Sequence, residues 1–147
     1  MIYISHRGNQ SGPERENAPD YIEEAIAAGY QAEIDVRLIG GLWFLGHDEP
    51  RYQVTESFLQ NDKLWCHAKN HEAFFQMRKN PRIHCFWHQQ DDYIVTSRGY
   101  LWAYPGMPVN GPRVIACMPE SAQHPIDLTA AQGICSDYIR RYEAAVE

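Results

Sequence analysis

The chain lacks long apolar runs, low-complexity tracts and repeats of fixed period. A transmembrane helix needs about 18 or more consecutive apolar residues, and no segment of the sequence approaches that length. The first residues, "MIYISHRG", turn polar after four positions and so lack the apolar core of a signal peptide. We therefore expect no membrane span and a cytoplasmic protein.

The sequence also lacks an excess of positive charge. It has 13 Lys and Arg against 19 Asp and Glu, a formal net charge of −6. A protein that binds nucleic acid by neutralising many phosphates needs a basic stripe, and none is present. The charge balance does not exclude one small anionic ligand that is held by a few local cations.

Cysteine is sparse and never occurs as a CxxC pair. The four residues are Cys66, Cys85, Cys117 and Cys135, each in an apolar, strand-like stretch. A free cysteine in such a stretch behaves as a small buried hydrophobe. Reduced thiols in a cytoplasmic protein are the expected state, and a disulfide framework is the minor alternative.

The patterns that are present predict a single α/β domain over residues 1–147. The strand "IYIS" is followed by a helix that begins at Pro19 and ends at Gly29, and then by the strand "YQAEIDVRLI". Gly40-Gly41 is a plausible hairpin turn into "LWFLGHD". This order of strand, helix and strand implies a parallel pair.

The remaining segments predict more strands than helices. "KLWCHAKN" is typical of a strand, and "HEAFFQMRKN" of a short helix that is capped by Asn70 and stopped at Asn80-Pro81. The strands "RIHCFWHQ", "DYIVTS", "YLWAYPG", "RVIACMPE" and "GICS" then follow with hardly any helix before the helical tail "DYIRRYEAAVE". The second half is therefore expected to be strand-rich.

Two carboxylates stand on one predicted strand. Glu33 and Asp35 are two positions apart and so share one face, where like charges repel unless a cation lies between them. They could belong to an exposed, solvated sheet surface or to a site for a hard divalent cation. His6, His47 and His67 lie at or near the ends of other predicted strands, where parallel α/β folds build ligand sites.

Four short motifs occur in a fixed order over residues 2–50. They are "HRG" after the first strand, "EN" at Glu16-Asn17 before the first helix, "EIDV" ending the second strand, and "GHD" after the hairpin. In this combination the chain resembles the glycerophosphodiester phosphodiesterases, relatives of the phosphatidylinositol phospholipases C and the sphingomyelinase D toxins. The resemblance thins out after residue 50.

The resemblance implies a TIM-type barrel with one divalent cation, magnesium or calcium, and a histidine pair for acid–base chemistry. It implies catalytic roles for His6 and His47, phosphate contacts for Arg7 and Lys69, metal ligation by Glu33 and Asp35, and a position in or just behind the site for Glu16. For Lys69 and Glu16 the alternatives are a solvated lysine and an acidic residue that favours a helix N-terminus.

The chain departs from the family in two ways. His67 stands where the family has a third acidic ligand, and an imidazole there should favour manganese or zinc over calcium or magnesium. A full barrel also needs at least about 200 residues, so we expect a reduced TIM-type (β/α) barrel that has lost several outer helices.

Three further residues each have two alternative roles. Asp48 could orient a neighbour or cap a turn. His88 could contact substrate, although a core or interface role for it and for His84 is the stronger expectation. Asp137 could face the mouth of the barrel, although capping of the terminal helix is the stronger expectation.

The sequence therefore predicts a metal-dependent phosphodiesterase that acts on a small phosphodiester, with alcohols that it does not identify. A non-catalytic module that binds a phospholigand or a metal is the first alternative, and a different metal-dependent hydrolase is a weaker one. Sheet edges left open by missing helices would favour a homodimer.

Overall fold

Ten strands form one mixed sheet in the computed structural model, which describes residues 1–146. The strands are β1 (Ile2–His6), β2 (Gln31–Ile39), β3 (Leu42–Leu45), β4 (Tyr52–Val54), β5 (Leu64–Ala68), β6 (Cys85–Phe86), β7 (Tyr93–Val95), β8 (Leu101–Ala103), β9 (Val114–Cys117) and β10 (Gly133–Ser136). The α-helices in this range are α1 (Pro19–Ala27), α2 (Glu56–Leu59), α3 (His71–Lys79) and α4 (Ile139–Val146), with one 3-10 turn at Pro119–Ser121.

The centre of the sheet is parallel and its flanks are antiparallel. Parallel neighbours follow in the order β6, β5, β2, β1, β10, β9 and β8. β7 pairs antiparallel with β8, while β3 and β4 continue antiparallel from the end of β2. The parallel strands end at a common edge, which we call the rim. The side chains of any ligand site are expected at that edge.

The expectation of a reduced TIM-type (β/α) barrel is wrong. The sheet forms a half-barrel that is rich in strands, and strands and helices do not alternate around it. No α-helix in residues 1–146 lies between β6 and β10. Loop residues cover the outer face there instead, since Val109 and Ala131 pack against Val114 and Ala116. The second half is too short to supply an outer helix after each strand, so it covers its sheet with loops.

Local signals in the sequence set the first helices and the hairpin. α1 begins at Pro19, as expected, and the chain leaves it through Gly29 at a φ of +98°. α3 begins after Asn70, whose side chain accepts a hydrogen bond from the N–H of Ala73. Gly40 and Gly41 both have positive φ, which suits a tight hairpin turn with the right-handed twist of its strands.

Side chains on the two faces of the sheet form separate apolar clusters. The inner cluster holds Ile4, Trp65, Phe86, Trp102, Ile115 and Cys135. The largest cluster includes buried residues of β2, β3, β5 and the first three helices, among them Ile22, Ile34, Leu45, Leu59 and Met77. The strand period of two places alternate side chains in the two clusters, so each face of the parallel centre is packed. Within residues 1–146, no helix is long and apolar enough to cross a membrane.

His84, which precedes β6, forms a hydrogen bond with the segment between β7 and β8. His84 is buried, and its Nε2 lies 2.7 Å from Thr96 Oγ1. The neighbouring N–H of Ser97 donates to the carbonyl of Cys85 at 2.9 Å. Burial, reinforced by the charges of Arg98 and Arg113, lowers the pKa of His84 to about 4. His84 therefore belongs to the core, as the sequence led us to expect.

This histidine should make the stability depend on pH. An unfolded histidine has a pKa of about 6.5, so between pH 6.5 and 4 the unfolded chain binds the proton more strongly and stability rises with pH. Lowering the pH from 7.5 to 5.0 should therefore cost about 2 kcal/mol from His84 alone. Urea unfolding at both values gives the summed pH dependence of all groups, and the difference from a His84→Gln variant isolates this cost. The His84→Gln variant keeps a polar side chain that can form a hydrogen bond with Thr96 and should lose that share of the pH dependence. Identical pH dependence in the two proteins would contradict the assignment.

Candidate functional site at the rim

Register brings the candidate residues of four strands to one part of the rim. His6 on β1 is the direct partner of Glu33 on β2, and Asp35 is the direct partner of His67 on β5. Asp137 follows β10, which pairs with the other side of β1. Parallel pairing thus places two histidines and three carboxylates side by side, although they come from segments more than 100 residues apart.

Glu33, Asp35 and His67 form a compact triad of possible metal ligands. Each offers one ligand atom, and these atoms lie within 4.8 Å of one another. Glu33 is 2% exposed and Asp35 is 0% exposed, which overturns the alternative of a solvated sheet face. Within the described residues, Glu33 Oε1 and Asp35 Oδ1 are buried without a hydrogen-bond partner. A buried carboxylate oxygen without a partner is costly, and a bound cation removes that cost, so the triad fits a divalent ion.

The two carboxylates of the triad are in different electrostatic states. Burial alone would raise the pKa of Asp35, but His67 and the Arg7 guanidinium outweigh it and hold that pKa well below its usual range. Burial, and then the charge of Asp35, raise the pKa of Glu33. Two close carboxylates cannot both ionise at low cost, and a cation between them would allow both to do so.

Asn17 holds Asp35 in place with two hydrogen bonds. Its side-chain amide donates to Asp35 Oδ2 at 2.9 Å, and its amide oxygen accepts from the N–H of Asp35 at 3.0 Å. Asn17 has a φ of +65°, a conformation that Asn adopts more readily than most residues. The sequence shows Asn17 only as part of the "EN" motif, with no role of its own. That motif is the signal in the sequence that could have identified Asn17 as a site residue.

Arg7 bridges two carboxylates. Its Nη1 donates a hydrogen bond to Glu16 Oε2 at 3.0 Å. Its Nε forms an ion pair with Asp35 Oδ2 at 3.1 Å, without the geometry of a hydrogen bond. Gly8 lets the "HRG" turn approach α1 closely, because a Cβ there would lie 3.0 Å from Ile22 Cγ1. The structure therefore places Glu16 beside Arg7, in contact with the triad through the guanidinium.

His6 is oriented by Asp137. Its Nδ1 lies 2.7 Å from Asp137 Oδ1, which also accepts a hydrogen bond from the Asn9 amide at 2.8 Å. Burial would lower the pKa of His6, but the charge of Glu33 and the bond to Asp137 outweigh it and raise that pKa to about 9. Asp137 thus lies at the mouth of the sheet and contacts His6. Capping of the terminal helix was the stronger expectation from the sequence. Nothing in the sequence pointed to Asn9.

His47 lies on the loop after β3, at the border of this site. Its side chain is 38% exposed, and its Nδ1 lies 2.8 Å from Asp48 Oδ1. His47 and Asp48 line a cleft of about 60 Å³ together with Glu16 and Asn17. The loop is fixed by Arg37, whose Nε donates to the carbonyl of Gly46 at 3.1 Å. His47 therefore reaches the site from the side of Glu16 and is not buried with the triad.

Lys69 and His88 complete the set of expected residues. Lys69 follows β5 directly and is half-buried, and in residues 1–146 its ammonium forms no ion pair. The backbone carbonyl of His88 lies 2.9 Å from His67 Nε2, while the His88 side chain contacts the carbonyl of Asp91 at 2.8 Å. His88 therefore contacts the triad through its backbone, and its imidazole turns to a neighbouring loop.

A larger cavity lies away from the rim. It measures about 580 Å³ and is lined by the loops on either side of β9, including Pro105, Val109, His124 and Ile126. No residue of the triad lines it, and His124 and Asp127 are its only titratable side chains in the described chain. Chemistry needs converging polar groups, so the rim and not this cavity is the candidate site.

Comparisons with protein-family models, with curated proteins and with solved structures found no match for this chain.

Proposed function

We propose that the protein is a metal-dependent phosphodiesterase that cleaves a small phosphodiester, as the resemblance to the glycerophosphodiester phosphodiesterases implies. The observation that carries the proposal is the buried triad of Glu33, Asp35 and His67, with two carboxylate oxygens that lack a partner in the described residues. His6 adjoins it on the next strand and supplies a titratable group.

The triad would hold one divalent cation. When bound, such an ion supplies Lewis-acid chemistry, drawing charge from the phosphorus through a phosphate oxygen. Arg7 and Lys69 would hold the other anionic oxygens, with Arg7 kept in position by Glu16. The site would thus bind the phosphate and offset the negative charge that grows during the reaction.

His6 and His47 would move the protons. One imidazole takes the proton of the attacking water or hydroxyl, and the other gives a proton to the departing alkoxide. Asp137 occupies Nδ1 of His6, so Nε2 is the nitrogen of that ring that is available to a substrate. His47 is held in the same way by Asp48, again through Nδ1.

A non-catalytic module that binds a phospholigand or a metal is the second candidate. The observation that favours it is the state of Arg7, whose Nε and Nη1 already contact Asp35 and Glu16. A guanidinium that is engaged by two carboxylates has less capacity for a phosphate. The exposure of the His47 side chain also favours the binding module over the enzyme.

The test is hydrolysis of bis(p-nitrophenyl) phosphate and of glycerophosphodiesters by chelator-stripped protein with added magnesium, calcium, manganese or zinc. We expect metal-dependent turnover, and we expect His6→Asn and His47→Asn each to lower it by roughly 100-fold or more, as loss of a general acid or base does. His124→Gln, an exposed histidine outside the rim, is the matched control.

The outcomes separate the two candidates. Full activity in either histidine variant would contradict the proposed chemistry. Absence of turnover with every ion, together with saturable binding of a phosphate ester, would favour the binding module instead.

We also propose that the protein is cytoplasmic and forms a homodimer. A reducing, cytoplasmic setting is supported by the cysteines, since all four are free thiols in the structure. A homodimer would use the edge strands β4 and β7, whose outer sides have no partner strand in residues 1–146.

A further inference from the structure

The ring of His67 is fixed on two sides. Its Nε2 lies 2.9 Å from the backbone carbonyl of His88, and a carbonyl oxygen can only accept a hydrogen bond. Nε2 therefore carries the hydrogen, and Nδ1 is the nitrogen left for another partner. The ring also stacks on Phe86, with centroids 4.9 Å apart and planes 14° from parallel. This contact opposes rotation of the ring.

Nδ1 of His67 faces the two carboxylates of the triad. It lies 3.4 Å from Asp35 Oδ1 and 3.8 Å from Glu33 Oε2, both longer than an ordinary hydrogen bond. Asp35 Oδ1, the nearer of the two, is one of the buried oxygens without a hydrogen-bond partner in the described residues. Atoms bound at about 2.0–2.2 Å by one tetrahedral ion lie about 3.4 Å apart, so this spacing suits ligands of a small cation.

The backbone contact at His88 is typical of metal-binding histidines. Such a histidine usually gives its second N–H to a carbonyl or a carboxylate, which fixes the ring nitrogen that meets the metal. Calcium prefers six to eight oxygen ligands and magnesium an octahedral oxygen shell, whereas imidazole suits zinc and its first-row neighbours. Two carboxylates and one imidazole with an open position resemble a catalytic zinc site more than a calcium site.

We infer that the triad selects a first-row transition ion, zinc or cobalt before manganese, over calcium and magnesium, because His67 offers Nδ1 beside Asp35 and Glu33. The inference rests on the metal site of the proposed function and specifies its ion. It concerns binding, so it does not depend on whether the bound protein turns over a phosphodiester.

Metal titration of the full chain tests this selectivity. Chelator-stripped protein would be titrated with zinc, cobalt, manganese, calcium and magnesium by calorimetry. The intensity of the visible absorption of bound cobalt would report whether the site is low-coordinate. We expect zinc to bind at least about 100-fold more tightly than calcium.

Two substitutions at the same position make the test specific. His67→Glu restores a third carboxylate and should lower the ratio of zinc to calcium affinity at least about 10-fold. His67→Gln removes the nitrogen ligand without adding charge and should weaken zinc and cobalt while leaving calcium nearly unchanged. His124→Gln controls for zinc binding at a surface histidine and should change nothing. Circular dichroism would verify that each variant is folded.

Calcium or magnesium binding as tight as zinc binding would overturn the inference, and so would an unchanged zinc-to-calcium ratio in the folded His67→Glu protein. Failure of the proposed function looks different. Tight zinc binding through His67 without phosphodiester cleavage would uphold the inference and contradict the phosphodiesterase. Cleavage supported only by calcium or magnesium would contradict the inference and uphold the phosphodiesterase.

Discussion

Replacing Glu33 by Gln and Asp35 by Asn in the same protein should abolish metal-dependent phosphodiester cleavage, with a loss in kcat/KM of at least about 1,000-fold. Both replacements nearly preserve side-chain shape, and each removes one negative charge from the triad. The remaining ligand, His67, is neutral when it binds a metal, so the triad would retain no negative charge with which to hold a divalent ion. Binding of zinc should be lost in parallel with turnover.

The measurement is kcat/KM against bis(p-nitrophenyl) phosphate over a range of metal concentrations, with the zinc affinity determined separately. Glu23→Gln combined with Glu56→Gln is the matched control, because it removes two negative charges from exposed positions on α1 and α2. Retained turnover in the triad variant would refute the site. An equal loss in the control would mean that overall charge, and not the triad, is responsible.

Trp65→Ala should cost about 3–5 kcal/mol of stability, a large part of the 5–15 kcal/mol that holds a typical domain together. Trp65 is 2% exposed in the inner cluster. Its ring lies 4.3 Å from that of His84 and 5.7 Å from that of Trp102, measured between centroids. The alanine would leave a cavity where β5, β6 and β8 meet, and would leave Gln31 without the 2.7 Å hydrogen bond from Trp65 Nε1.

Urea unfolding followed by circular dichroism measures this cost as the shift in free energy of unfolding. Trp65→Phe is the matched comparison, because it keeps an aromatic ring in the cluster and removes the donor to Gln31. We expect it to cost well under half as much as the alanine. A loss below about 1 kcal/mol for Trp65→Ala would show that the inner cluster is not a packed core.

Short-range chemistry explains which elements the sequence predicted well. A proline at the first helical position, an Asn cap and a pair of glycines act within one turn of chain, and they place α1, α3 and the β2–β3 hairpin. The strand "GICS" coincides with β10. α2 was missed, although Thr55 caps it by accepting from the N–H of Phe58. A four-residue helix is too short for its period to show.

Long-range pairing explains the failure of the fold prediction. The β6 segment was expected to be a strand of eight residues, "RIHCFWHQ", and only Cys85–Phe86 pair as one. His84 instead bonds Thr96, and the backbone of His88 meets His67, so partners outside β6 decide its course. The TIM-type prediction followed from the resemblance, whereas the closure of a sheet depends on which distant strands meet.

The sequence by itself determined that Glu33 and Asp35 share a strand face, because side chains alternate with a period of two whatever the fold. It also indicated His6, Arg7, Glu16 and His67 through the motifs around them. Only the tertiary structure decided that the two carboxylates are buried, that Asp35 lies beside His67, and that Asp137 orients His6. These contacts depend on the register between strands up to 131 positions apart, and local propensity carries no record of register.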